Sequence, residues 1–132
     1  MTDSSKRLLF VCVENACRSQ MAEAFARMQT NDAVRAFSAG SRPSGQVNPR
    51  AIQFMAELAY DLGQHYSKSL EEVPPGEYAA VITMGCGDEC EMIPARLRED
   101  WPLPDPKNLP DEGFRQVRDE IRQRVRGLLR RI

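Results

Sequence analysis

The segment CVENACR, residues 12–18, constrains the fold more than any other part of the chain. It begins at the last residue of residues 8–12, a short apolar run that predicts a buried strand. It leads directly into residues 19–28, where strong helix formers carry apolar side chains at helical spacing. Cys12 and Arg18 therefore stand at the entrance and the exit of a tight loop between a strand and a helix.

The same alternation of strands and helices continues along the chain. Residues 34–39 and 78–84 predict two further buried strands, and residues 67–72 predict a short helix. Asn48 and Pro49 suit the N-cap and the first turn of another helix. The buried stripe of that helix is expected at Ile52, Met55, Ala56 and Ala59. The alternation favours one α/β domain over residues 1–132, with helices on both sides of a parallel sheet.

The last segment has the clearest helical pattern. Asp111 suits its N-cap, and the placement of acids near its start and arginines near its end matches the helix dipole. The predicted apolar face consists of Phe114, Val117, Ile121, Val125, Leu128 and Ile132. Because acids are interleaved with the arginines, this run predicts a solvated helix face rather than a nucleic-acid-binding surface.

The composition excludes several classes of protein. With 132 residues, 42% of them apolar, and a net charge of -1, the chain suits one domain with no electrostatic preference for nucleic acid or membrane. The first apolar run is shorter than a signal peptide requires, and no run approaches the length of a membrane span. We therefore expect a cytoplasmic protein, whose four cysteines are catalytic or metal-binding rather than structural disulfides.

The loop between Cys12 and Arg18 has the features of an anion-binding site. The free N–H groups and partial positive charge of a helix N-terminus attract an oxyanion, and Arg18 can offer its planar guanidinium to two oxygens. The same field favours the thiolate form of Cys12, to which Ser19 can donate a hydrogen bond. Asn15 tolerates unusual backbone angles and can tie the loop to itself. We therefore expect a nucleophilic thiolate beneath a bound oxyanion.

Two other interpretations of the cysteines are open. Cys12 can be a buried structural residue beside an ordinary helix start. Alternatively, Cys12, Cys17, Cys86 and Cys90 can form a zinc site, although their spacings differ from those of the usual zinc knuckles. In a parallel sheet Cys86, just after the third predicted strand, is expected at the same edge as Cys12.

The sequence CVENACRSQMAEAF closely resembles the anion loop of the low-molecular-weight protein tyrosine phosphatase superfamily. Asn15 and the sequence RSQMAE, residues 18–23, are similar to the arsenate reductase branch of that superfamily. The segments FSAG, NPRAIQFM, VITMGCGDEC and DWPLPDP extend the similarity nearly from end to end. The resemblance implies a three-layer α/β sandwich in which helices flank a four-stranded parallel sheet.

The resemblance also implies catalytic roles. Cys12 is the expected nucleophile, Asp105 the general acid that protonates the departing oxygen, and Cys86 and Cys90 a redox pair. The oxyanion is expected to contact the Arg18 side chain and the loop residues Val13, Glu14, Asn15, Ala16, Cys17, Arg18 and Ser19. No bound cofactor is implied.

Four further expectations concern the surroundings of the loop. Relatives that bind potassium beside the loop imply Asn15, Glu23 and Ser38 as potassium ligands. Cys17 is expected to be structural, with a protective bridge to Cys12 as a further option. We expect Trp101 to pack under the loop that carries the acid. We expect His65, which is the single histidine, to lie on the surface away from the anion loop.

Two features favour arsenate reduction over phosphatase chemistry. A phosphatase has no use for Cys86 and Cys90, whereas in a reductase these thiols can release arsenite from Cys12 and carry the oxidising equivalents as a disulfide. The acid Asp105 is followed by residues 106–108, PKN, where related phosphatases resemble one another in having aromatic residues. A compact inorganic oxyanion therefore suits this chain better than an aryl phosphate.

The implied partners follow from that interpretation. The substrate is arsenate, with phosphate and sulfate as competing oxyanions, and the external reductant is thioredoxin or glutathione with glutaredoxin. The gap between Cys86 and Cys90 is shorter than in the thioredoxin-coupled reductases, which leaves the reductant open. We expect a monomer. A low-molecular-weight phosphatase and a non-catalytic thiol or metal sensor are the alternative functions.

Overall fold

The computed structural model describes residues 6–30, 34–85 and 93–132. Within these ranges, four parallel strands form one sheet in the order β2-β1-β3-β4. The strands are β1 (Arg7–Cys12), β2 (Arg35–Gly40), β3 (Tyr78–Thr83) and β4 (Ala95–Asp100). The α-helices of the described ranges are α1 (Arg18–Thr30), α2 (Pro49–Ala56) and α3 (Asp111–Leu129), and 3-10 turns occur at Leu62–Gln64, Leu70–Glu72 and Pro106–Asn108. The predicted α/β fold with a four-stranded parallel sheet is confirmed, whereas Cys86 and Cys90 lie outside the described residues.

The central strand β1 is covered on both faces. Leu8, Leu9, Phe10 and Val11 are completely buried, as expected for an inner strand of a parallel sheet. Leu8 and Phe10 join the larger core with α1, α2 and α3, whereas Leu9 and Val11 join a smaller core on the other face. The chain places β2 on one side of β1 and β3 on the other. The carboxyl end of β1 is therefore the switch point at which such sheets bind ligands.

The strand β4 has no clear signal in the sequence. Its residues, ARLRED, are mostly charged and alternate between half-buried and exposed along one edge of the sheet. Leu97 pairs with Ala80 of β3 and packs against the larger core. A charged edge strand buries few apolar side chains, so its hydrophobic pattern alone does not predict a strand. The strand β4 is recognised only from its pairing with the neighbouring strand.

The helix α2 begins where the sequence predicts but buries a different stripe. The side chain of Asn48 accepts a hydrogen bond from the N–H of Arg50 at 2.8 Å, and Pro49 is the first helical residue. The buried residues are Ala51, Phe54 and Met55. The expected stripe is therefore wrong apart from Met55, since Ile52 is half-buried and Ala56 and Ala59 are exposed. The physical reason is length: the helix has only 8 residues and ends at Ala56.

The helix α3 has the predicted apolar face, but its expected N-cap is wrong. Its buried residues include Phe114, Val117, Ile121, Val125 and Leu128, and Ile132 is partly buried beyond its end. Pro110 occupies the cap position, and the carboxylate of Asp111 instead pairs with Nη2 of Arg50 at 2.8 Å. Across the described ranges, no helix combines the length and apolar character that crossing a membrane requires.

Candidate functional site

The loop between β1 and α1 is supported by a second loop that wraps around it. The backbone N–H groups of Arg42, Ser44 and Asn48 donate to the carbonyl oxygens of Val13, Glu14 and Ala16 at 2.8, 3.0 and 3.1 Å, respectively. In a trans peptide the N–H and the carbonyl of one peptide unit point in opposite directions. Because these three carbonyl groups point towards the second loop, the N–H groups of the same peptide units point away from it. The backbone is thereby arranged as a cradle for an anion.

Two backbone positions allow this tight loop. Asn15 has a φ of 51°, in the left-handed region that asparagine tolerates better than most residues. Gly40 pairs with Cys12 across the sheet, and a Cβ at this position would lie 2.6 Å from the carbonyl oxygen of Val13. The glycine of the FSAG segment is therefore required by the close approach of β2 to the loop.

Cys12 lies at the base of the cradle and is 2% exposed. Its Sγ lies 2.9 Å from Oγ of Ser19, and Nδ2 of Asn15 donates to the same Oγ at 2.7 Å. Because the Ser19 hydroxyl accepts from Asn15, its own proton is free to point at the sulfur. The predicted contact between Ser19 and Cys12 is present, and it suits a sulfur that acts as an acceptor.

Arg18 and Asp105 line the same pocket as Cys12. Nη1 of Arg18 donates to the carbonyl oxygen of Leu103 at 2.9 Å, and its Nη2 lies 3.9 Å from Oδ2 of Asp105. A Cβ at Gly85 would lie 3.0 Å from Nη1, so this glycine leaves room for the guanidinium. The pocket is lined by Cys12, Glu14, Ala16, Cys17, Arg18 and Asp105. Three residues predicted to be catalytic thus meet at the carboxyl end of β1.

Asp105 opens the 3-10 turn Pro106–Asn108. Its Oδ1 accepts a hydrogen bond from the N–H of Lys107 at 3.1 Å, and its side chain is 37% exposed. Nζ of Lys107 lies 3.3 Å from Oε2 of Glu14, which joins the turn to the anion loop. Among the described residues, those that line the pocket include no aromatic ring. The pocket therefore offers no stacking surface for a phenol.

Two expectations concern Cys17 and Trp101, which are both buried near the site; the structural role of Cys17 is supported, whereas the packing of Trp101 under the acid loop stays a prediction. The pKa of the Cys17 thiol is raised to about 12, first because burial disfavours the thiolate and also because Asp105 and Cys12 are close. Cys17 is therefore a protonated, weakly nucleophilic thiol near neutral pH, which fits a structural role. Trp101 is 3% exposed, and its ring centroid lies 6.1 Å from that of Phe10.

The surface position predicted for His65 is wrong. Its side chain is 4% exposed, and its Nδ1 lies 3.0 Å from Oε1 of Gln20 in α1. Nε2 of Gln20 in turn donates to Oδ1 of Asn15 at 2.8 Å, within the anion loop. The sequence gives no signal for the contact between His65 and Gln20, because it joins positions 45 apart.

The three side chains predicted as potassium ligands already have other partners. Oγ of Ser38 donates to Oε1 of Glu23 at 2.6 Å, and Oδ1 of Asn15 accepts from the N–H of Lys68 at 2.9 Å. Nζ of Lys68 lies 3.8 Å from Oε1 of Glu23, and Nη2 of Arg27 lies 2.7 Å from its Oε2. Because two basic side chains already balance this buried carboxylate, the residues do not fit a potassium ion.

Cys86 and Cys90 remain predictions, since both lie outside the described residues. The preceding segment is positioned, because the N–H of Met84 donates to the carbonyl oxygen of Val11 at 2.8 Å and Gly85 packs beside Arg18. Within residues 6–30, 34–85 and 93–132, no group of three or more His, Cys, Asp or Glu residues is arranged to hold a metal ion.

Comparisons with family models, with known sequences and with solved structures agree with one another. The model of the family described as low molecular weight phosphotyrosine protein phosphatase matches residues 7–132. The glutaredoxin arsenate reductase of Synechocystis sp. is 37% identical over 130 residues, which cover 96% of this chain and 98% of that protein. A solved structure of an arsenate reductase in the phosphate-binding state is 36% identical with a TM-score of 0.85, covering 96% of this chain and 98% of the other. The thioredoxin-dependent arsenate reductase of Corynebacterium glutamicum is 29% identical with a TM-score of 0.79, covering 98% of this chain and 63% of the other.

Proposed function

The chain belongs to the low molecular weight phosphotyrosine protein phosphatase family, and we propose that within this family it is a thiol-dependent arsenate reductase. One observation carries the proposal. Cys12, Arg18 and Asp105 line one small pocket in which Sγ of Cys12 lies 2.9 Å from Oγ of Ser19. Arsenate has nearly the shape and charge of phosphate, so a pocket built for a tetrahedral oxyanion accepts either. The absence of an aromatic ring from the described lining residues favours the inorganic ion.

The first step uses the described residues. The thiolate of Cys12 attacks arsenic, while the loop N–H groups and the guanidinium of Arg18 hold the remaining oxygens. As the sulfur–arsenic bond forms, one arsenic–oxygen bond breaks. Asp105 supplies a proton to the departing oxygen, which leaves as water. The 37% exposure of Asp105 allows its carboxylate to recover a proton from solvent.

The second stage is carried by the two downstream cysteines. The thiolate of Cys86 attacks Sγ of Cys12, and the sulfur–arsenic bond breaks with its electron pair remaining on arsenic, which leaves as arsenite. The thiolate of Cys90 then attacks the sulfur of Cys86, releasing the Cys12 thiolate and leaving a Cys86–Cys90 disulfide. Support for this relay comes from the position of Gly85, directly before Cys86, beside the Arg18 guanidinium.

An external thiol must reduce the final disulfide. The Synechocystis relative is named a glutaredoxin arsenate reductase, and the Corynebacterium glutamicum relative is named a thioredoxin-dependent one. We favour glutathione with glutaredoxin, because that relative is 37% identical to this chain whereas the thioredoxin-dependent enzyme is 29% identical. The rate of arsenate reduction, measured in parallel with each purified reducing system, distinguishes glutathione with glutaredoxin from thioredoxin.

The proposed function is tested by following both arsenite release and phosphate ester hydrolysis. Cys12→Ser is expected to abolish both activities. Cys86→Ser is expected to abolish multiple turnovers of arsenate while keeping slow hydrolysis of p-nitrophenyl phosphate, because hydrolysis needs only Cys12, Arg18, Asp105 and water. The retained hydrolysis also serves as the control for correct folding. Mass spectrometry after one turnover is expected to find the Cys86–Cys90 disulfide.

Two results would contradict the proposal. Undiminished arsenite release by Cys86→Ser with either reducing system would exclude the relay. Fast hydrolysis of p-nitrophenyl phosphate by the unmodified protein, with no arsenite formed from arsenate, would make the protein a phosphatase.

A further inference from the structure

An ion pair joins the anion loop to the turn that carries the proposed acid. Nζ of Lys107 lies 3.3 Å from Oε2 of Glu14 and 3.5 Å from its Oε1. Glu14 belongs to the anion loop, whereas Lys107 belongs to the 3-10 turn that Asp105 opens. The N–H of Lys107 also donates to Oδ1 of Asp105 at 3.1 Å. The pair therefore connects the wall that would hold the anion with the wall that carries the acid.

A larger groove adjoins the pocket of Cys12 at this ion pair. The groove has a volume of about 270 Å³, and Lys107 and Asn48 are among the residues that line it. Glu14 and Ala16 line both the groove and the pocket of Cys12. These two residues are therefore the boundary between the two spaces. A ligand that is too large for the pocket has to extend past this boundary into the groove.

The direction of the proposed reaction determines which ligands meet this boundary. In an in-line displacement the departing oxygen lies opposite the attacking atom, which here is Sγ of Cys12. That oxygen is the one that Asp105 is proposed to protonate. In arsenate it carries at most a proton, whereas in a phosphate ester it carries the organic group. The organic group of an ester therefore has to leave the pocket beside Asp105, through the gap that Glu14 and Lys107 bridge.

The charges of the pair fit a role at the site better than a role in stability. The side chains of Lys107 and Glu14 are 40% and 43% exposed, and ion pairs as exposed as this one contribute little to folding. A carboxylate at the mouth of an anion site repels the anion unless a cation balances it. The ammonium group of Lys107 supplies that balance. The mouth of the pocket is therefore narrowed without a net negative charge.

We propose that Glu14 and Lys107 determine the specificity of the site, selecting unsubstituted tetrahedral oxyanions over phosphate esters. The inference rests on the proposed function, because it names the residues that choose the substrate class at the same pocket. An exposed ion pair opens easily, so a small anion can enter and the pair can form again above it. An ester holds the pair apart for as long as it is bound, and its affinity is lower for that reason.

The test compares the binding of two tetrahedral anions and uses no arsenate. One is inorganic phosphate, and the other is phenylphosphonate, whose phenyl group is attached through a phosphorus–carbon bond that the site cannot hydrolyse. Each anion in the pocket shields Cys12 from iodoacetamide. The dissociation constant of each anion is obtained from its protection of Cys12, with mass spectrometry assigning the label to that residue. Thermal unfolding of every variant checks that the fold is intact.

Removing either side chain is expected to relax the preference for phosphate. Glu14→Ala and Lys107→Ala are each expected to improve the affinity for phenylphosphonate relative to phosphate by about fivefold, because the bound phenyl group no longer separates an ion pair. Phosphate binding alone is expected to change in opposite directions. It tightens by about threefold in Glu14→Ala, which frees the ammonium group, and weakens by about threefold in Lys107→Ala, which leaves the carboxylate unbalanced. Lys107→Arg keeps the pair and is expected to stay within about twofold of the unmodified protein.

A matched ion pair at the opposite end of the sheet supplies the control. Nε of Arg96 lies 3.4 Å from Oε1 of Glu77, where β3 and β4 begin. Arg96→Ala and Glu77→Ala are expected to leave both dissociation constants unchanged. The proposal is overturned if the relative affinity for phenylphosphonate is unchanged in both Glu14→Ala and Lys107→Ala, or if the control variants change it equally. Absence of arsenite release together with the expected change in relative affinity would contradict the proposed function and leave the role of the pair intact.

Discussion

The guanidinium of Arg50 donates a hydrogen bond to the carbonyl oxygen of Leu109 at 2.6 Å. The same guanidinium donates to the carbonyl oxygen of Lys107 at 3.0 Å and pairs with Asp111 at 2.8 Å. Arg50 belongs to α2, whereas the three acceptors follow the proposed acid, Asp105. The second helix therefore anchors the segment that carries the acid, although no residue of that helix lines the pocket formed by the described residues.

Arg50→Gln is expected to lower arsenate turnover by about tenfold, because Asp105 loses the support that fixes its position relative to Cys12. The unfolding free energy is expected to fall by about 1–2 kcal/mol as hydrogen bonds to two carbonyl groups are lost. Arg124→Gln is the matched control, since Arg124 pairs with Glu120 one turn away on the surface of α3. Its effect on stability is expected to stay within about 0.5 kcal/mol. Equal turnover by the two variants would show that the anchor has no catalytic role.

Gly40→Ala is expected to destabilise the protein by about 1–3 kcal/mol and to weaken oxyanion binding. The new Cβ would lie 2.6 Å from the backbone oxygen of Val13, and backbone cannot move aside as a flexible side chain can. Urea unfolding gives the stability, and inhibition by phosphate gives the binding. Gly127→Ala in α3 is the control, because nothing lies within 4 Å of its added Cβ. It is expected to stabilise the protein by about 0.5–1 kcal/mol, and the same sign for both variants would refute the steric explanation.

Stability is expected to fall as pH decreases from about 4.5 to about 2. The pKa of Glu57 is lowered from 4.5 to about 2, chiefly because Arg115 and Arg118 donate hydrogen bonds to its carboxylate. The pKa of Glu99 is also lowered to about 2, chiefly by hydrogen bonds from Arg131 and Trp101. The unfolded chain binds more protons than the folded chain in this interval, so the contribution is present above pH 4.5 and is lost as the pH falls through the folded value.

Glu57→Gln and Glu99→Gln are each expected to flatten this acid dependence of the unfolding free energy. The measurement is urea unfolding at half-unit steps of pH. Glu71→Gln is the control, because Glu71 is an exposed acid on the 3-10 turn Leu70–Glu72. This variant is expected to keep the full slope of unfolding free energy against pH. An unchanged slope in both test variants would mean that other groups cause the acid sensitivity.

The parts of the site that depend on neighbouring residues were predictable from the sequence. One strand-loop-helix segment contains all of the predicted local features, and its geometry depends on neighbouring residues. These features are the spacing of Cys12 and Arg18, the contact of Ser19 with Cys12, and the unusual backbone of Asn15. The N-cap at Asn48 was predictable for the same reason.

The missed features depend on contacts between distant positions or on marginal patterns. His65 looks like an ordinary polar residue until α1 places Gln20 against it. The strand β4 is held by its pairing with β3 rather than by its own charged sequence. The stripe expected for α2 is wrong because a helix of 8 residues has too few turns to define its apolar face.

The bond from Arg18 to the carbonyl oxygen of Leu103 spans 85 positions of the chain. During synthesis on the ribosome, Cys12 and Arg18 emerge early, whereas the segment that completes their pocket emerges last but for the final helix. When Cys12 leaves the ribosome, the residues that will line its pocket 85 or more positions later have not yet been synthesised, so the growing chain carries this cysteine without them.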